Sequence, residues 1–461
     1  MSKLQHLLRP QSVAVVGASD DEDKYGHKVL RNIVDAGYRG RVYPVNPNAD
    51  TVLGLRSYRS LADAPERLDL AFIVIPARLV VNAVRDAVAA QVRSLVIITA
   101  GFGETGDEGR QMEAEIRAIC READIPAVGP NCMGICSFPV HLAATMASLQ
   151  SEPGHLSFIS QSGTYGITTL NYGLRMGVAF NAFISSGNEA VTTFSDYLEY
   201  LGDDLDTHVI MGYIESLRDG KKFARVAKEV TKRKPVVVMK FGRTQKGSMA
   251  AASHTGAMAG SHAVYTSVFR QCGVVEVTRT QDLLNTAMAL SMQPPLKGPR
   301  IAAVGASGGF AVAVTDYLEE HGLEVPTFSD ELQQRMRHEA GTMPYASVRN
   351  PVDLAADLRP APLLKCAELA LQQDMIDGAI AALPSLPFPP AEHTVKELER
   401  MQHETGKPVL ICYGARPEGV DVIQRMTARI PVYRSPEEVG QVMAGLHQYG
   451  DYRRRTSTLP S

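Results

Sequence analysis

One histidine stands apart from the other titratable side chains of this chain. His254 lies in the run Ala251–Gly260 (AASHTGAMAG), in which every other residue is uncharged, so no neighbouring cysteine or carboxylate completes a metal site. A neutral imidazole nitrogen attacks phosphorus, and a pKa near neutrality keeps that form populated in cells. His254 is therefore a candidate phosphoryl carrier. The plainer alternative is that it is one more structural or surface histidine among the 12 in the chain.

Two short turns are suited to holding the phosphate that such a histidine would carry. Each turn follows a predicted strand and opens a predicted helix, where free N–H groups and the helix dipole favour an anion. The residues are Gln161, Ser162, Gly163 and Thr164 in the first turn, and Ser307, Gly308 and Gly309 in the second. Glu215 ends another predicted strand and is expected to fix the tautomer of the imidazole. The alternative for Glu215 is an exposed carboxylate at a strand end.

The first five predicted strands present a second set of loops. In an open parallel sheet the ligand binds outside the carboxyl ends of the strands. The first strand runs into Gly17, Ala18 and Ser19 without the dinucleotide fingerprint, and the second reaches Asn46 where a nicotinamide domain places an acidic residue. These two observations disfavour NAD. With Pro76 and Asn131 in later loops, the edge suits a long, partly apolar, nucleotide-like ligand.

Two other sites are disfavoured by their spacing. Cys132, Cys136 and His141 lack a paired knuckle and a clear fourth ligand, so no metal site is predicted. Gly242 and Gly247 have the spacing of a P-loop, but Ser248-Met249 follows where that motif needs lysine and then serine or threonine. The chain is therefore predicted to lack an ATP site of its own.

Composition limits the class of protein. The 461 residues exceed what one core serves, so two to four domains are expected. A net charge of -3 with 21% charged residues gives no basic excess, and nucleic acid is not a predicted partner. Neither a signal peptide nor a membrane span is predicted, and the six scattered cysteines suit reduced thiols. The expected location is the cytoplasm.

Short runs rich in valine and isoleucine alternate with helical patterns, which predicts an α/β protein with mostly parallel sheets. The predicted strands are 12–17, 41–45, 70–75, 95–99 and 125–128, then 156–159, 179–184, 208–214, 235–240 and 274–277, and finally 301–304, 379–383, 409–412 and 431–433. This order predicts domains at 1–145, 146–292 and 300–450, with a solvated tail at 451–461. The proline-rich segment 293–299 is predicted to be a linker.

Six short motifs follow one another in order. They are Val15-Val16-Gly17-Ala18-Ser19, Gly129-Pro130-Asn131-Cys132, Gln161-Ser162-Gly163, Ser186-Gly187-Asn188, Ser253-His254-Thr255-Gly256 and Asn350-Pro351-Val352-Asp353-Leu354. With these motifs the chain resembles, over nearly its whole length, the α subunit of ADP-forming (NDP-forming) acyl-CoA synthetases, relatives of succinyl-CoA synthetase. The resemblance implies a Rossmann-like CoA-binding domain followed by two flavodoxin-like domains, of which the first bears the phosphohistidine.

The resemblance also implies an activity and roles for residues. The family converts acyl-CoA, ADP and phosphate to the free acid, CoA and ATP through an acyl phosphate and a phosphohistidine. His254 is then the phosphoryl carrier, Glu215 orients it, and the two turns hold the phosphate. The residues that match CoA contacts are Gly17, Ala18, Ser19, Asn46, Pro76 and Asn131.

In this family the nucleotide and Mg²⁺ are bound by an ATP-grasp domain, either fused to the chain or on a β subunit, so the resemblance implies an ATP-grasp partner and a hetero-oligomer. Asn48 replaces a lysine that many relatives use for the CoA phosphates, and Ala190-Val191-Thr192 replaces a stretch that often holds an aspartate. The acyl group stays open between acetate, a branched acid and an aryl acid. A noncatalytic CoA-sensing protein of the same fold is the alternative.

Overall fold

The computed structural model describes residues 3–249, 261–383, 392–414, 420, 422–424, 427 and 429–457. It divides into two units, residues 1–278 and residues 279–461. Strands and helices alternate in both units, which confirms the predicted α/β class with mostly parallel sheets. No helix in the described ranges is long and apolar enough to cross a membrane.

The first unit begins with a parallel five-stranded sheet. Its elements are β1 (Ser12–Val16), α2 (Tyr25–Asp35), β2 (Arg41–Val45), β5 (Leu70–Ile73), α3 (Ala77–Ala89), β6 (Ser94–Ile97), α4 (Asp107–Glu122) and β7 (Ala127–Val128), after a short helix α1 (Gln5–Leu8) and with a small hairpin of β3 (Thr51–Val52) and β4 (Leu55–Arg56). The strand order is β2-β1-β5-β6-β7. The central strands are buried on both faces, which explains their unbroken apolar sequences.

A seven-stranded sheet completes the first unit. Its elements are β8 (Gly134–Ser137), β9 (Leu142–Thr145), β10 (Leu156–Ser160), α5 (Gly163–Arg175), β11 (Phe180–Ser185), α6 (Phe194–Asp203), β12 (Val209–Ile214), α7 (Gly220–Thr231), β13 (Val236–Lys240), α8 (His262–Gln271) and β14 (Val275–Val277). The order is β14-β13-β12-β10-β11-β8-β9. The five strands predicted for this region are confirmed, and the hairpin of β8 and β9 is an addition.

That hairpin joins the sequence of the first predicted domain to the sheet of the second. Strand β8 pairs antiparallel with β11, with Ile135 opposite Ile184. Val128 of the first sheet shares one apolar core with these residues. The two sheets therefore belong to one compact unit, although the sequence pattern divides them at residue 145.

The second unit contains a six-stranded sheet. Its elements are α9 (Thr280–Met292), β15 (Ile301–Gly305), α10 (Gly308–Glu320), α11 (Asp330–Glu339), β16 (Ser347–Val348), β17 (Val352–Asp353), α12 (Pro360–Leu371), β18 (Gly378–Leu383), α13 (Glu392–Thr405), β19 (Val409–Tyr413), β20 (Val432–Tyr433) and α14 (Pro436–Ser457). The order is β16-β17-β15-β18-β19-β20. The four strands predicted here are confirmed.

Two segments of this unit are more ordered than their composition indicates. In the predicted linker, Leu296 is fully buried and its backbone N–H bonds Leu446 O at 3.2 Å. The predicted solvated tail instead continues helix α14 as far as Ser457, with Tyr452 only 5% exposed. The prolines of one segment and the arginines of the other predicted exposed chain. Both segments instead have buried residues, because distant parts of the unit pack against them.

Candidate active site

A cavity of about 740 Å³ lies in the first unit, at the carboxyl ends of β1, β5, β6 and β10. It brings together seven of the residues that the sequence predicts for CoA and for phosphate: Gly17, Pro76, Asn131, Gln161, Ser162, Gly163 and Thr164. Its volume is within the range of small-molecule and cofactor sites. Residues from two distant parts of the sequence thus share one concave surface.

Close backbone approach shapes the first side of the cavity. Gly17 has φ +92°, and a Cβ added there would lie 2.2 Å from the carbonyl oxygen of Val74. A Cβ at Gly26, in the first turn of α2, would lie 1.9 Å from the carbonyl oxygen of Gly17. The start of α2 therefore packs directly on the loop after β1, and only glycine fits at either position.

Three of the predicted CoA residues support this loop without lining the cavity. Ala18 is fully buried, and Asn46 donates from Nδ2 to its carbonyl oxygen at 2.8 Å. Ser19 accepts from the N–H of Asp21 at 3.1 Å and places its own carbonyl oxygen 3.0 Å from His27 Nδ1. These contacts hold the turn between β1 and α2 in place. Ala18, Ser19 and Asn46 therefore support the loop that borders the cavity.

The opposite side of the cavity is the turn at the start of α5. Ser162 is the residue before the helix and has an extended backbone, so the N–H groups of the first helical turn have no partners within the helix. Gly163 packs against Met133, whose Cγ would lie 2.4 Å from an added Cβ. The contact with Met133 therefore fixes the position of the turn in the cavity wall, and the N–H groups of the turn suit a phosphate oxygen.

Glu215 follows β12 and is 9% exposed. The hydroxyl of Tyr213 donates to its Oε1 at 3.1 Å. Burial first, and the nearby Glu215 carboxylate second, raise the pKa of Tyr213, so this phenol stays protonated and keeps donating. The N–H groups of Glu215 and Ser216 both donate to Gln161 Oε1, at 2.7 and 3.0 Å. The predicted orienting carboxylate is thus bonded to the predicted phosphate turn.

Sequence reasoning missed a polar network beside the cavity. Asn188 lines the cavity and donates from Nδ2 to Glu104 at 2.6 Å and to Glu113 at 3.1 Å. Glu113 also accepts from Arg218 at 3.0 Å, while Asn131 Nδ2 donates to Asn188 Oδ1 at 3.2 Å. Asn188 belongs to one of the six ordered motifs. The two glutamates belong to no motif, and only the fold reveals them.

Lys240 is a second functional candidate that the sequence did not single out. It ends β13, is 3% exposed and donates from Nζ to the carbonyl oxygen of Glu215 at 2.8 Å. The ammonium lies 4.5 Å from the centre of the Tyr265 ring. Burial lowers the pKa of Lys240. The available signal was a lysine that ends a predicted strand and precedes the run that contains His254 in the sequence.

Cys132 lines the cavity, but it is no nucleophile. Burial raises the pKa of its thiol to about 12, and Sγ contacts the carbonyl oxygen of Ile97 at 3.3 Å. At neutral pH the reactive thiolate is therefore scarce. Among the described residues, no group of three or more His, Cys, Asp or Glu is arranged to hold a metal ion.

The remaining predicted residues lie elsewhere in the chain. His254 is outside the described residues. Ser307, Gly308 and Gly309 form the start of α10 in the second unit, where Ser307 is exposed and has an extended backbone. A Cβ added at Gly308 would lie 2.5 Å from Asp353 Oδ2, so a carboxylate borders this turn. The described part of the site is therefore the cavity and the Glu215 loop.

Two family models match the first unit and its continuation. Residues 11–137 match a CoA binding domain, and residues 153–290 match a succinyl-CoA ligase like flavodoxin domain. The first match contains the loops at Gly17, Pro76 and Asn131. The second contains the Gln161 turn, Glu215 and His254.

Relatives match almost the entire chain. The α subunit of ADP-forming acetate–CoA ligase II of Pyrococcus furiosus is 36% identical over 453 residues, which are 96% of this chain and 97% of the relative. ADP-forming acetate–CoA ligase I of Archaeoglobus fulgidus is 35% identical over 97% of this chain but 64% of the relative. The solved dinucleotide-forming acetyl-coenzyme A synthetase 1 of Ca. Korarchaeum cryptofilum, in complex with phosphate and ADP, has a TM-score of 0.90 and 32% identity, covering 99% of both chains.

Proposed function

The chain belongs to the α subunits of the ADP-forming acyl-CoA synthetases, which are acid–thiol ligases, and from this premise we propose that it converts acyl-CoA, ADP and phosphate to a carboxylic acid, CoA and ATP. The observation that carries the proposal is the cavity in which the predicted CoA loops meet the predicted phosphate turn. A noncatalytic CoA sensor has no need for that turn beside a buried glutamate.

The proposed chemistry runs in three displacements. A phosphate oxygen attacks the thioester carbonyl, the C–S bond breaks, and CoA leaves as the thiol, giving an acyl phosphate. A nitrogen of His254 then attacks phosphorus, the P–O bond to the acyl group breaks, and the carboxylate leaves. A terminal oxygen of ADP finally attacks the phosphohistidine, the N–P bond breaks, and ATP forms.

In this proposal the residues of the cavity position the reactants. Gly17, Pro76 and Asn131 border the CoA side, with Ala18, Ser19 and Asn46 holding the first loop in place. The N–H groups at residues 162–164 stabilise the phosphate charge in every step. Ser307, Gly308 and Gly309 are proposed as the second phosphate turn.

Glu215 accepts a hydrogen bond from the N–H of the His254 ring nitrogen that does not react. This bond keeps the reacting nitrogen free and stabilises the positive charge that develops when the ring attacks phosphorus. The exposed fraction of Glu215, 9%, means that water competes little for its oxygens. The small carboxylic acid is left open, and acetyl-CoA is the first substrate to test because the relatives are named for acetate.

The nucleotide, with Mg²⁺, is proposed to bind a separate ATP-grasp β subunit in a hetero-oligomer. Two findings support this: a relative of matching length is named an α subunit, while a longer relative carries a further third of its length. A preparation of this chain alone with full ATP-forming activity would contradict it. The six free, buried cysteines support a reducing compartment, and we propose the cytoplasm.

Phosphohistidine formation tests the proposal. The chain is incubated with [³²P]phosphate and acetyl-CoA, a branched acyl-CoA or an aryl acyl-CoA, and acid-labile protein label and free CoA are measured. We expect label in the wild type with at least one acyl-CoA and none in His254→Ala. His321→Ala, which changes an exposed histidine of the second unit, is the matched control and keeps the label. Equal labelling of His254→Ala removes this histidine from the mechanism.

A further inference from the structure

The side chain of Gln161 has every hydrogen-bonding position engaged within the protein. Its Oε1 accepts from the N–H groups of Glu215 and Ser216 at 2.7 and 3.0 Å. Its Nε2 donates to Glu189 Oε1 at 2.9 Å and to the carbonyl oxygen of Ser216 at 2.7 Å. A primary amide has two donors and two acceptor lone pairs, so this network uses all four.

These four contacts also fix which way the amide points. A flipped amide would place its NH₂ group against two N–H donors and its oxygen against a carboxylate and a carbonyl, so all four contacts would be repulsive. The backbone N–H of Gln161 is engaged as well, since it donates to Tyr213 O at 3.2 Å. With 8% of its surface exposed, Gln161 has neither a side-chain nor a backbone donor left for phosphate. The N–H groups of Ser162, Gly163 and Thr164 are the donors that this turn offers.

The segment that receives these bonds is held from several sides. Lys240 donates to the carbonyl oxygen of Glu215 at 2.8 Å, and the N–H of Leu217 donates to the hydroxyl of Tyr265 at 3.1 Å. The N–H and C=O of both Glu215 and Ser216 thus have side-chain partners, as does the next N–H. Such a loop has little conformational freedom, so the position of the Glu215 carboxylate is set before substrate binds.

We propose that Gln161 is a positioning residue for phosphoryl transfer. It holds the backbone of Glu215 where that carboxylate orients the imidazole of His254, and Glu189 in turn holds the Gln161 amide. The inference rests on the roles of His254 and Glu215 in the proposed function, and it assigns Gln161 to the carboxylate and not to the phosphate.

The assignment predicts how the rate constants divide. A residue that binds phosphate changes the KM for phosphate, whereas a residue that positions Glu215 changes kcat and leaves that KM alone. Loss of the four contacts in Gln161→Met is expected to slow histidine phosphorylation by about 10- to 100-fold, the size expected for hydrogen bonds around a charged group. The KM for phosphate and for acyl-CoA is expected to change less than about twofold.

A double-mutant cycle tests the route of the effect. Phosphorylation rates are measured for the wild type, Gln161→Met, Glu215→Gln and the double variant, with thermal unfolding of each. If Gln161 acts through Glu215, the double variant is expected to be phosphorylated less than about twofold more slowly than Glu215→Gln alone. Gln373→Met is the matched control, because Gln373 donates a similar bond to Leu369 O in the second unit, and it is expected to leave the rate unchanged.

Each outcome separates the inference from the function it rests on. No label in the wild type overturns the proposed function. Labelling that needs His254 and slows in Glu215→Gln, but not in Gln161→Met, overturns the inference alone. Equal slowing by Gln161→Met in both backgrounds, or a raised KM for phosphate, also overturns it. If Gln161→Met does not fold, Gln161→Glu keeps the size of the side chain, removes both donors, and is expected to give the same cycle.

Discussion

Two turns that look alike in sequence have different surroundings in the two units. Residues 161–164 line a cavity, Gly163 packs against Met133, and every hydrogen-bonding position of the Gln161 side chain has a partner. Residues 307–309 are largely exposed, and the carboxylate of Asp353 lies beside Gly308. Both turns begin a helix after a strand, so both offer free N–H groups.

The N-terminus of a helix supplies N–H donors, but these donors alone do not make an anion-binding site. The surroundings decide whether its N–H groups point into a space that a phosphate can occupy and whether other charges oppose it. The first turn lines a cavity, which leaves room for the phosphate that we propose it binds. The second turn has a like charge next to it, which weakens anion binding by about 1 kcal/mol in a well-hydrated position. Its proposed part in holding phosphate is therefore the weaker of the two.

Replacing one glycine of each turn by alanine tests whether the two turns differ in function. Gly163→Ala places a Cβ 2.4 Å from Met133 Cγ, whereas a Cβ at Gly309 meets no atom within 4 Å. We expect Gly163→Ala to slow histidine phosphorylation by about 10- to 100-fold because the N–H groups and the cavity wall must shift. Gly309→Ala is expected to keep the rate within about twofold and to fold at least as well. Similar losses in both variants would contradict the difference drawn here.

The pH dependence of stability tests the surroundings of the first turn through the Glu104 carboxylate. Burial pushes the pKa of Glu104 up, but hydrogen bonds from Asn188 and from the N–H groups of Gly101 and Phe102 outweigh it, so the pKa lies below its usual value. A lowered pKa stabilises the fold above the ordinary pKa of about 4.5, and this stabilisation disappears as the pH falls through the folded-state value.

Glu104→Gln is therefore expected to lower the free energy of unfolding by about 1–2 kcal/mol at pH 7 and by much less near pH 3. Urea unfolding at both pH values measures this. Glu115→Gln is the control, since this glutamate of α4 forms a more exposed pair with Arg85 and is expected to change the free energy by less than about 0.5 kcal/mol. A Glu104→Gln effect that is equal at both pH values would show that ionisation plays no part.

The smallest expected effect concerns the second turn. Asp353→Asn removes the charge beside Gly308, so the KM for phosphate is expected to fall about two- to fivefold if this turn contacts phosphate. Asp316→Asn makes the same charge change at an exposed position of α10, the helix that this turn begins, and is expected to leave the KM unchanged. An unchanged KM in Asp353→Asn would assign phosphate binding to the first turn alone.

The sequence was sufficient for most of the architecture because the central parallel strands are buried on both faces and leave largely apolar runs. It was insufficient for the β8–β9 hairpin, whose four-residue strands contain glycine, serine and alanine and are fixed by pairing with β11. Helix α14 beyond residue 451 was hidden by its arginines, although Tyr452 is buried. Local pattern identifies strands and helices, but it does not identify contacts between distant segments.

The candidate site divides in the same way. Motif order located Gly17, Asn131 and the 161–164 turn, because loops after parallel strands meet at one edge of the sheet. Motif order did not indicate that the Gln161 amide faces the backbone of Glu215. The groups that a side chain bonds depend on how deeply it is buried and on the direction in which it points. The order of motifs in a sequence contains neither.

The hairpin has a practical consequence for anyone who divides the chain. Cutting after residue 145, the boundary predicted from the sequence, removes β8 and β9 from the larger sheet, and cutting after residue 137, where the CoA binding domain match ends, removes β8, which is the strand that pairs with β11. Strand β11 would then expose a bare row of amide and carbonyl groups along an apolar ribbon, Phe180–Ser185, which is a template for aggregation. A fragment meant to contain the cavity and the proposed phosphoryl carrier should instead span the chain through residue 278.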